Sequence, residues 1–248
     1  MKQKRIWVAW SLLITGFFVT IFAAYYIKSD VDNIAKKEFT HSCNEISSII
    51  TRRLHAHAQV LRSGAAFFNV SDTVTRANWK AFVEESSINT NLPGIQGVGF
   101  SLIVPGDKLQ QHIQKIRKEG FTEYTIKPEG KRETYTSIVF LEPFTGRNLR
   151  AFGYDMFSEP VRREAMELAR DLNVAALSGK VMLVQETGTD VQAGNIMYVP
   201  VYRKGEETNT IEQRRHAITG WVYSPYRMDD LMSGILEGLE LQGNKKIY

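Results

Sequence analysis

The hydrophobic pattern of the chain begins with an apolar run near the N-terminus. Residues 6–27 carry no charged side chain, whereas residues 1–5 hold three positive side chains and Lys28 closes the run. A helix rises about 1.5 Å per residue, so this run crosses a hydrocarbon layer of roughly 30 Å. Two tryptophans lie near one end and two tyrosines at the other, as in the aromatic belts of membrane interfaces. The pattern predicts a transmembrane helix at residues 6–27.

A cleaved signal peptide is the alternative to this membrane anchor. The apolar run is longer than a typical signal-peptide core, and no clear cleavage site of small residues follows it. We therefore expect an uncleaved anchor. The basic residues 1–5 predict a cytoplasmic N-terminus. The chain after Lys28 is then expected outside the inner membrane of the cell, in the periplasmic or extracellular space.

Helical spacing continues beyond the predicted membrane span. Residues 28–68 contain no proline, and their only glycine is Gly64. Apolar side chains recur there mostly every three or four residues, which predicts a stalk helix with one narrow apolar stripe. Such a stripe usually packs against a partner helix, and we expect the same helix of a second copy, giving a homodimer. The stripe consists of Val31, Ile34, Phe39, Cys43, Ile46, Ile50, Leu54 and Leu61.

The chain after residue 68 alternates between helical and strand patterns. Helices are predicted at 76–88 and 107–118, after a cap at Ser158, and at 228–239; strands are predicted at 95–104, 121–126, 135–141, 180–186, 196–203 and 217–223. The polar residues 204–215 predict a long exposed loop. This order of elements favours an α+β fold, an antiparallel sheet backed by helices, over a parallel βαβ series.

Composition narrows the possible functions. The net charge of +4 is modest, and the basic residues are spread along the chain, which argues against a nucleic-acid partner. Cys43 is the only cysteine, so no internal disulfide can form. The five histidines show no metal-ligand spacing, and His55 and His57 point in opposite directions on a helix. We expect no catalytic residue, no metal site and no cofactor.

Residues 152–160 place one carboxylate in apolar surroundings. Asp155 is flanked by Tyr154, Met156 and Phe157, at the point where a sheet is predicted to give way to a helix. A carboxylate among large apolar groups is costly unless another group forms a hydrogen bond with it. Asp155 is therefore either a helix-capping or turn aspartate, or the single polar anchor of an apolar small-molecule pocket. The local pattern leaves both interpretations open.

Several short segments after residue 61 follow one another in a specific order and spacing. They are Ser63-Gly-Ala-Ala-Phe67, Trp79-Lys-Ala-Phe82, Leu92-Pro-Gly-Ile-Gln-Gly-Val-Gly-Phe100, Gly120-Phe121, residues 135–143, Gly153-Tyr-Asp-Met156 and Ser158-Glu-Pro160. Together they resemble the CHASE domain, the extracellular sensory module of membrane histidine kinases and nucleotide cyclases. The resemblance implies a stalk helix and two tandem PAS-like lobes. Residues 69–224 would form the membrane-distal, ligand-binding lobe, and residues 225–248 a helix and the start of a truncated membrane-proximal lobe.

The resemblance also implies a ligand site. In the plant cytokinin receptors of this family, an aspartate of the matching Asp-Met motif hydrogen-bonds the ligand, and a main-chain group of a leucine on a following strand completes recognition. The corresponding positions here are Asp155 and Leu183. The plant pattern is not kept outside the motif, so a small-molecule ligand is implied without specifying adenine. The expected pocket is lined by Phe140, Tyr154, Leu183 and Tyr198, with Asp155 at its wall.

The predicted function is ligand sensing for a transmembrane signalling receptor, without catalysis by this region. Ligand binding would move the stalk helices of a dimer, and the membrane helices would carry that displacement inward. A cytoplasmic kinase or cyclase domain is expected beyond the chain. Carboxylates at Glu142, Asp155, Glu159 and Glu186 support a weaker enzyme hypothesis. A membrane-anchored scaffold or adhesion protein, which would need no pocket, is the third alternative.

Overall fold

The computed structural model describes residues 2–86, 95–186, 188 and 191–240. The chain divides into two units, Met1–Arg52 and Arg53–Tyr248. One helix, α1, spans Lys2–Val70 and contains both the predicted membrane span and the predicted stalk. In the described part of the chain it is the one helix long and apolar enough to cross a membrane. The prediction that helix continues through residue 68 is confirmed.

The second unit contains a five-stranded sheet and several helices. The helices after α1 are α2 (Arg76–Glu85), α3 (Leu109–Lys118), α4 (Pro160–Leu172), α5 (Ile211–Ala217) and α6 (Met228–Glu240). The strands are β1 (Val98–Pro105), β2 (Thr134–Glu142), β3 (Ala176–Leu177), β4 (Gly194–Tyr202) and β5 (Ile218–Arg227). The strand order is β2-β1-β5-β4-β3, and every neighbouring pair is antiparallel. The predicted antiparallel α+β fold is therefore confirmed.

Helices cover both faces of the sheet. Successive residues of a strand point to opposite faces, so neighbouring residues of β5 contact different helices. On one face, the indole nitrogen of Trp221 donates to the carbonyl of Met166 in α4 at 2.9 Å. On the other face, the last turns of α1 approach β5 closely at Gly64. A Cβ atom there would lie 3.2 Å from Val222 and 3.3 Å from Trp79 of α2. We call these the α4 face and the α1 face.

Two predicted strands are wrong. Residues 121–126 form turns rather than a strand, although Tyr124 and Ile126 are buried. Residues 180–186 make only one isolated bridge, between Val181 and Gly194. The strand that pairs with the outer side of β4 is the short β3. Burial in both segments comes from packing against the sheet, which apolar periodicity cannot distinguish from strand pairing.

Two helix starts also differ from the prediction. The loop predicted at 204–215 is wrong from residue 211 onward, because α5 (Ile211–Ala217) begins there with a capping box formed by Thr210 and Gln213. Helix α4 is capped by Glu159 rather than by Ser158. The Glu159 carboxylate accepts from the backbone N–H groups of Val161 and Arg162. In both cases the residue that satisfies the first free N–H groups decides where the helix begins.

Two predicted regions extend outside the described residues. Helix α2 ends at Glu85, and residues 87 and 88 of the predicted helix are not described. Helix α6 matches the predicted helix at 228–239. The predicted start of a second lobe at residues 241–248 lies outside the described part of the chain.

Candidate functional site

The segment that carries Asp155 lies along the outer edge of β2. The N–H of Gly153 donates to the carbonyl of Ile138 at 3.0 Å, and the N–H of Ile138 donates to the carbonyl of Tyr154 at 3.2 Å. Gly153 has φ +81°, and a Cβ atom there would lie 2.2 Å from the carbonyl oxygen of Thr125. Only glycine fits this conformation and this close approach. The local backbone thus fixes the position of Asp155 against the sheet.

The carboxylate of Asp155 is fully buried, and its two oxygens have different surroundings. Oδ1 accepts from the N–H of Thr136 at 2.8 Å, the hydroxyl of Thr136 at 3.0 Å and the N–H of Phe157 at 3.2 Å. It thereby caps the short 3-10 helix Met156–Ser158. Oδ2 lies 3.5 Å from a guanidinium nitrogen of Arg132 and accepts no hydrogen bond from any described residue. One oxygen therefore holds the fold, and the other can still accept from a donor.

Three of the predicted ligand residues meet on the α4 face. Leu183 and Tyr198 belong to one buried apolar cluster together with Met166 and Tyr223, and Tyr154 packs against it. Leu183 covers the start of β4 closely, since a Cβ atom at Gly194 would lie 2.4 Å from its Cγ. The structure therefore brings Tyr154, Leu183 and Tyr198 into the same region of the molecule.

Phe140 lies on the α1 face instead. Its ring stacks against Phe68 at a centroid distance of 6.2 Å and Trp79 at 6.3 Å, and it is tilted against Phe100 at 6.3 Å. Phe140 lines a cleft of about 720 Å³ that residues of α1, α3 and the strands share. The sheet separates it from Tyr154, Leu183 and Tyr198, whereas Asp155 lies at the edge of β2.

Arg76 and His112, two of the polar residues that line this cleft, are paired with other side chains. The guanidinium of Arg76 contacts the carboxylate of Glu119 at 3.0 Å and also donates to the carbonyl of Val139. The imidazole of His112 lies 2.8 Å from the hydroxyl of Tyr124. Burial lowers the pKa of His112 to about 4 and raises the pKa of Tyr124 to about 12, so both groups are neutral near pH 7. The cleft therefore offers mainly apolar surface.

Arg162, in the first turn of α4, is a residue that the sequence analysis missed. Its side chain is only 3% exposed. The guanidinium carbon lies 4.8 Å from the centre of the Tyr154 ring, and Nη2 donates to the carbonyl of Met182 at 2.7 Å. Nε is 3.8 Å from the Glu159 carboxylate and makes no hydrogen bond to the residues described. The sequence carried one signal: the first turn of a helix favours acidic side chains, and a cation there is unfavourable.

Two buried tyrosines lie beside Arg162. Tyr198 and Tyr223 are directly opposite each other on β4 and β5, with ring centroids 6.4 Å apart. Neither hydroxyl has a hydrogen-bond partner in the part of the chain that is described. Burial raises the pKa of both hydroxyls, and the charge of Arg162 offsets only part of that effect. Both remain neutral donors. We call Arg162, Tyr154, Tyr198, Tyr223 and Leu183 the α4 cluster.

Comparison with known proteins gives two matches. A family model described as "CHASE domain" matches residues 72–247. A curated relative, the "Hybrid signal transduction histidine kinase A" of Dictyostelium discoideum, is 20% identical over 259 residues. That alignment covers 99% of this chain and 12% of the relative, so the chain spans only a small part of the relative's length.

Proposed function

Because the chain belongs to the CHASE domain family, we propose that it is the extracytoplasmic ligand-sensing region of a transmembrane signalling receptor. The match to a histidine kinase supports the signalling context. CHASE is a sensory domain, so no catalytic activity is indicated for the matched region. In this proposal a small molecule binds on the α4 face, and a dimer of α1 transmits the signal to a cytoplasmic kinase or cyclase domain.

The observation that carries the ligand-sensing proposal is the set of unpaired polar groups in the α4 cluster. Nε of Arg162 and the hydroxyls of Tyr198 and Tyr223 are buried without a hydrogen-bond partner among the described residues. Each such group costs about 1–3 kcal/mol, and native proteins bury few of them. A scaffold protein gains nothing from this cost. A binding site gains affinity from the same groups, because a ligand can form the missing hydrogen bonds with them.

We propose Tyr154, Leu183 and Tyr198 as residues that contact the ligand. Asp155 is proposed as a further contact through Oδ2, the oxygen that accepts no hydrogen bond within the described chain. Phe140, on the opposite face, would contact a ligand only in the cleft. The site would thus combine apolar walls with a few buried polar groups, the usual composition of a small-molecule pocket.

The proposed architecture places this site in a PAS-like, membrane-distal lobe at residues 69–224. The five-stranded antiparallel sheet with flanking helices supports this assignment. Residues 225–248 would hold a helix and then the start of a membrane-proximal lobe, near Leu241. Residues 6–27 would anchor the chain in the inner membrane with the lobes outside, as the long apolar helix supports.

A chain of contacts at the end of β5 supports a route for the signal. Glu186 follows Leu183 by three residues and forms a buried ion pair of 3.0 Å with Arg227. The neighbouring residue Tyr226 stacks on His57 of α1 at 5.2 Å. Movement of the segment that carries Leu183 would shift Glu186 and, through the ion pair, Arg227 at the end of β5. The adjacent Tyr226 would then shift against His57, and α1 would be displaced.

The exposed Cys43 on α1 provides the test. The chain in lipid nanodiscs or native membranes would be screened with a small-molecule library for a raised melting temperature. The rate of Cys43–Cys43 crosslinking under oxidation would be measured with each stabilising compound, and Cys43→Ser would serve as the control. A sensor shows compounds that change both quantities. A scaffold without a pocket shows none.

A further inference from the structure

The α4 cluster holds a buried positive charge whose nearest anion already has another role. Arg162 lies in the first turn of α4, where the helix dipole adds further positive potential. The Glu159 carboxylate, 3.8 Å from Nε, accepts from the N–H of Val161 at 3.1 Å and from the N–H of Arg162 at 2.9 Å. Its side chain is also 32% exposed, and water weakens its effect on Arg162. The cluster therefore favours an additional negative group.

The cluster also holds donors suited to such a group. Arg162 Nε and the hydroxyls of Tyr198 and Tyr223 are three donors without an acceptor among the described residues. The two tyrosines are cross-strand partners on the same face of the sheet, so their rings lie side by side. An oxyanion accepts charge-assisted hydrogen bonds from guanidinium and hydroxyl groups, and these bonds are the stronger kind.

From this geometry we infer that the α4 cluster binds the carboxylate of an organic monocarboxylate, an inference that rests on the ligand-sensing function proposed above. One guanidinium balances one negative charge, whereas a phosphate monoester carries nearly two at neutral pH. Leu183, Met166 and the Tyr154 ring provide apolar surface for the rest of the ligand. The ligand class is therefore a carboxylate with an aliphatic or aromatic body.

A ligand reaches the buried cluster past the segment that carries Met182 and Leu183. Leu183 is buried, whereas the side chain of Met182 is 73% exposed, so the segment separates the cluster from solvent. It is held to β4 by the two hydrogen bonds between Val181 and Gly194, at 2.8 and 2.9 Å. The Met182 carbonyl is held by Arg162, the group that would bind the carboxylate. The carboxylate on Nε would bind beside this contact, so ligand binding and the position of the segment are coupled through one guanidinium.

Matched acids and amides test the inference. Isothermal titration calorimetry of the whole chain in nanodiscs would use butyrate, benzoate and phenylacetate, each paired with its uncharged primary amide. We expect at least one acid to bind, and its amide to bind at least tenfold more weakly. Arg162→Met should weaken binding of the acid by roughly 100-fold, the size expected for loss of a charged hydrogen bond.

Two tyrosine-to-phenylalanine variants separate an effect on ligand binding from an effect on folding. Tyr198→Phe removes a hydroxyl that has no acceptor among the described residues, so the melting temperature should stay equal or rise while affinity for the acid falls roughly tenfold. Tyr202→Phe on the same strand is the control. Its hydroxyl donates to the carbonyl of Arg170 at 2.6 Å, so its loss should lower the melting temperature and leave affinity unchanged.

Two results would overturn the carboxylate inference, and they bear differently on the sensing function. Neutral compounds that stabilise the chain and change Cys43 crosslinking, with acids no better than amides, would contradict the inference and leave the sensor intact. The same holds if an acid binds Arg162→Met and Tyr198→Phe as tightly as the unchanged chain. If neither the acids nor any library compound binds, both proposals fail.

Discussion

Replacing Asp155 by alanine tests how far this carboxylate is committed to the fold. Oδ1 is the acceptor for the N–H of Thr136, and its removal leaves that buried N–H unpaired. The N–H of Phe157 is less affected, because it also donates to the hydroxyl of Thr136 at 2.9 Å. The Arg132 guanidinium, 3.5 Å from Oδ2, is 26% exposed, so water can solvate it once the carboxylate is removed.

The expected loss follows from these contacts. One orphaned buried N–H costs about 1–3 kcal/mol, and a hydrogen bond to a charged group contributes about 1.5–3 kcal/mol. With the separate hydrogen bond from the Thr136 hydroxyl also lost, Asp155→Ala should lower the free energy of unfolding by about 2.5–6 kcal/mol. Asp155→Asn can keep the Oδ1 contacts but turns an amide nitrogen toward Arg132, so we expect a loss of about 1–2 kcal/mol.

Urea unfolding of the chain in detergent micelles, followed by tryptophan fluorescence, gives these values because Trp79 and Trp221 are buried. Asp107→Ala, at an exposed carboxylate after β1, is the matched control and should change the free energy of unfolding by less than about 0.5 kcal/mol. If Asp155→Ala costs less than about 1 kcal/mol, the hydrogen bonds described for Oδ1 do not hold the fold.

Three further predictions concern pH, the stalk and topology. Burial lowers the pKa values of His57 and His112 from 6.5 to about 4. Between pH 6.5 and pH 4 the unfolded chain therefore binds more protons than the folded chain. The free energy of unfolding should fall as the pH drops through this range, by up to about 3 kcal/mol for each histidine. Melting temperatures measured across this pH range test the prediction, and His57→Phe should remove part of the pH dependence. A melting temperature that does not change with pH would contradict it. If the α1 stripe is a dimer seam, Cys43 should crosslink to its mate in oxidised membranes, and Leu54→Asp should abolish the crosslink by burying a charge; crosslinking indifferent to Leu54→Asp argues against the seam. If residues 6–27 form the anchor, a reporter fused to the C-terminal end should be active only outside the inner membrane, and cytoplasmic activity would reverse the orientation.

The sequence alone predicted the longest helix and the class of the sheet. Charge-free residues 6–27 and the stripe through residues 28–68 are local signals, since helix formation depends on neighbours within one or two turns. Alternation of apolar side chains located β2, β4 and β5 to within a few residues. Where a segment was short the signal failed: the seven residues of α5 are too few for a helical period to appear.

The tertiary structure decided which side chains meet. Phe140 and Tyr154 are only 14 residues apart in sequence, yet the sheet separates them. The register of β1 against β2 shifts between Phe100 and Ser101, so one residue of β2 is left unpaired and the pattern of faces changes there. A shift of this kind depends on pairing between distant strands. It cannot be read from the alternation within one strand.

The candidate site shows the same division. The apolar run around Asp155 already indicated a carboxylate that must be paired, because burial of a charge is costly whatever the fold. Arg162 lay unnoticed among the charged residues of α4, and Tyr198 and Tyr223 are 25 residues apart in sequence. Only the antiparallel pairing of β4 with β5, and the packing of α4 on that face, bring their unpaired donors together. Local sequence determines which groups need partners, whereas long-range packing determines which partners they have.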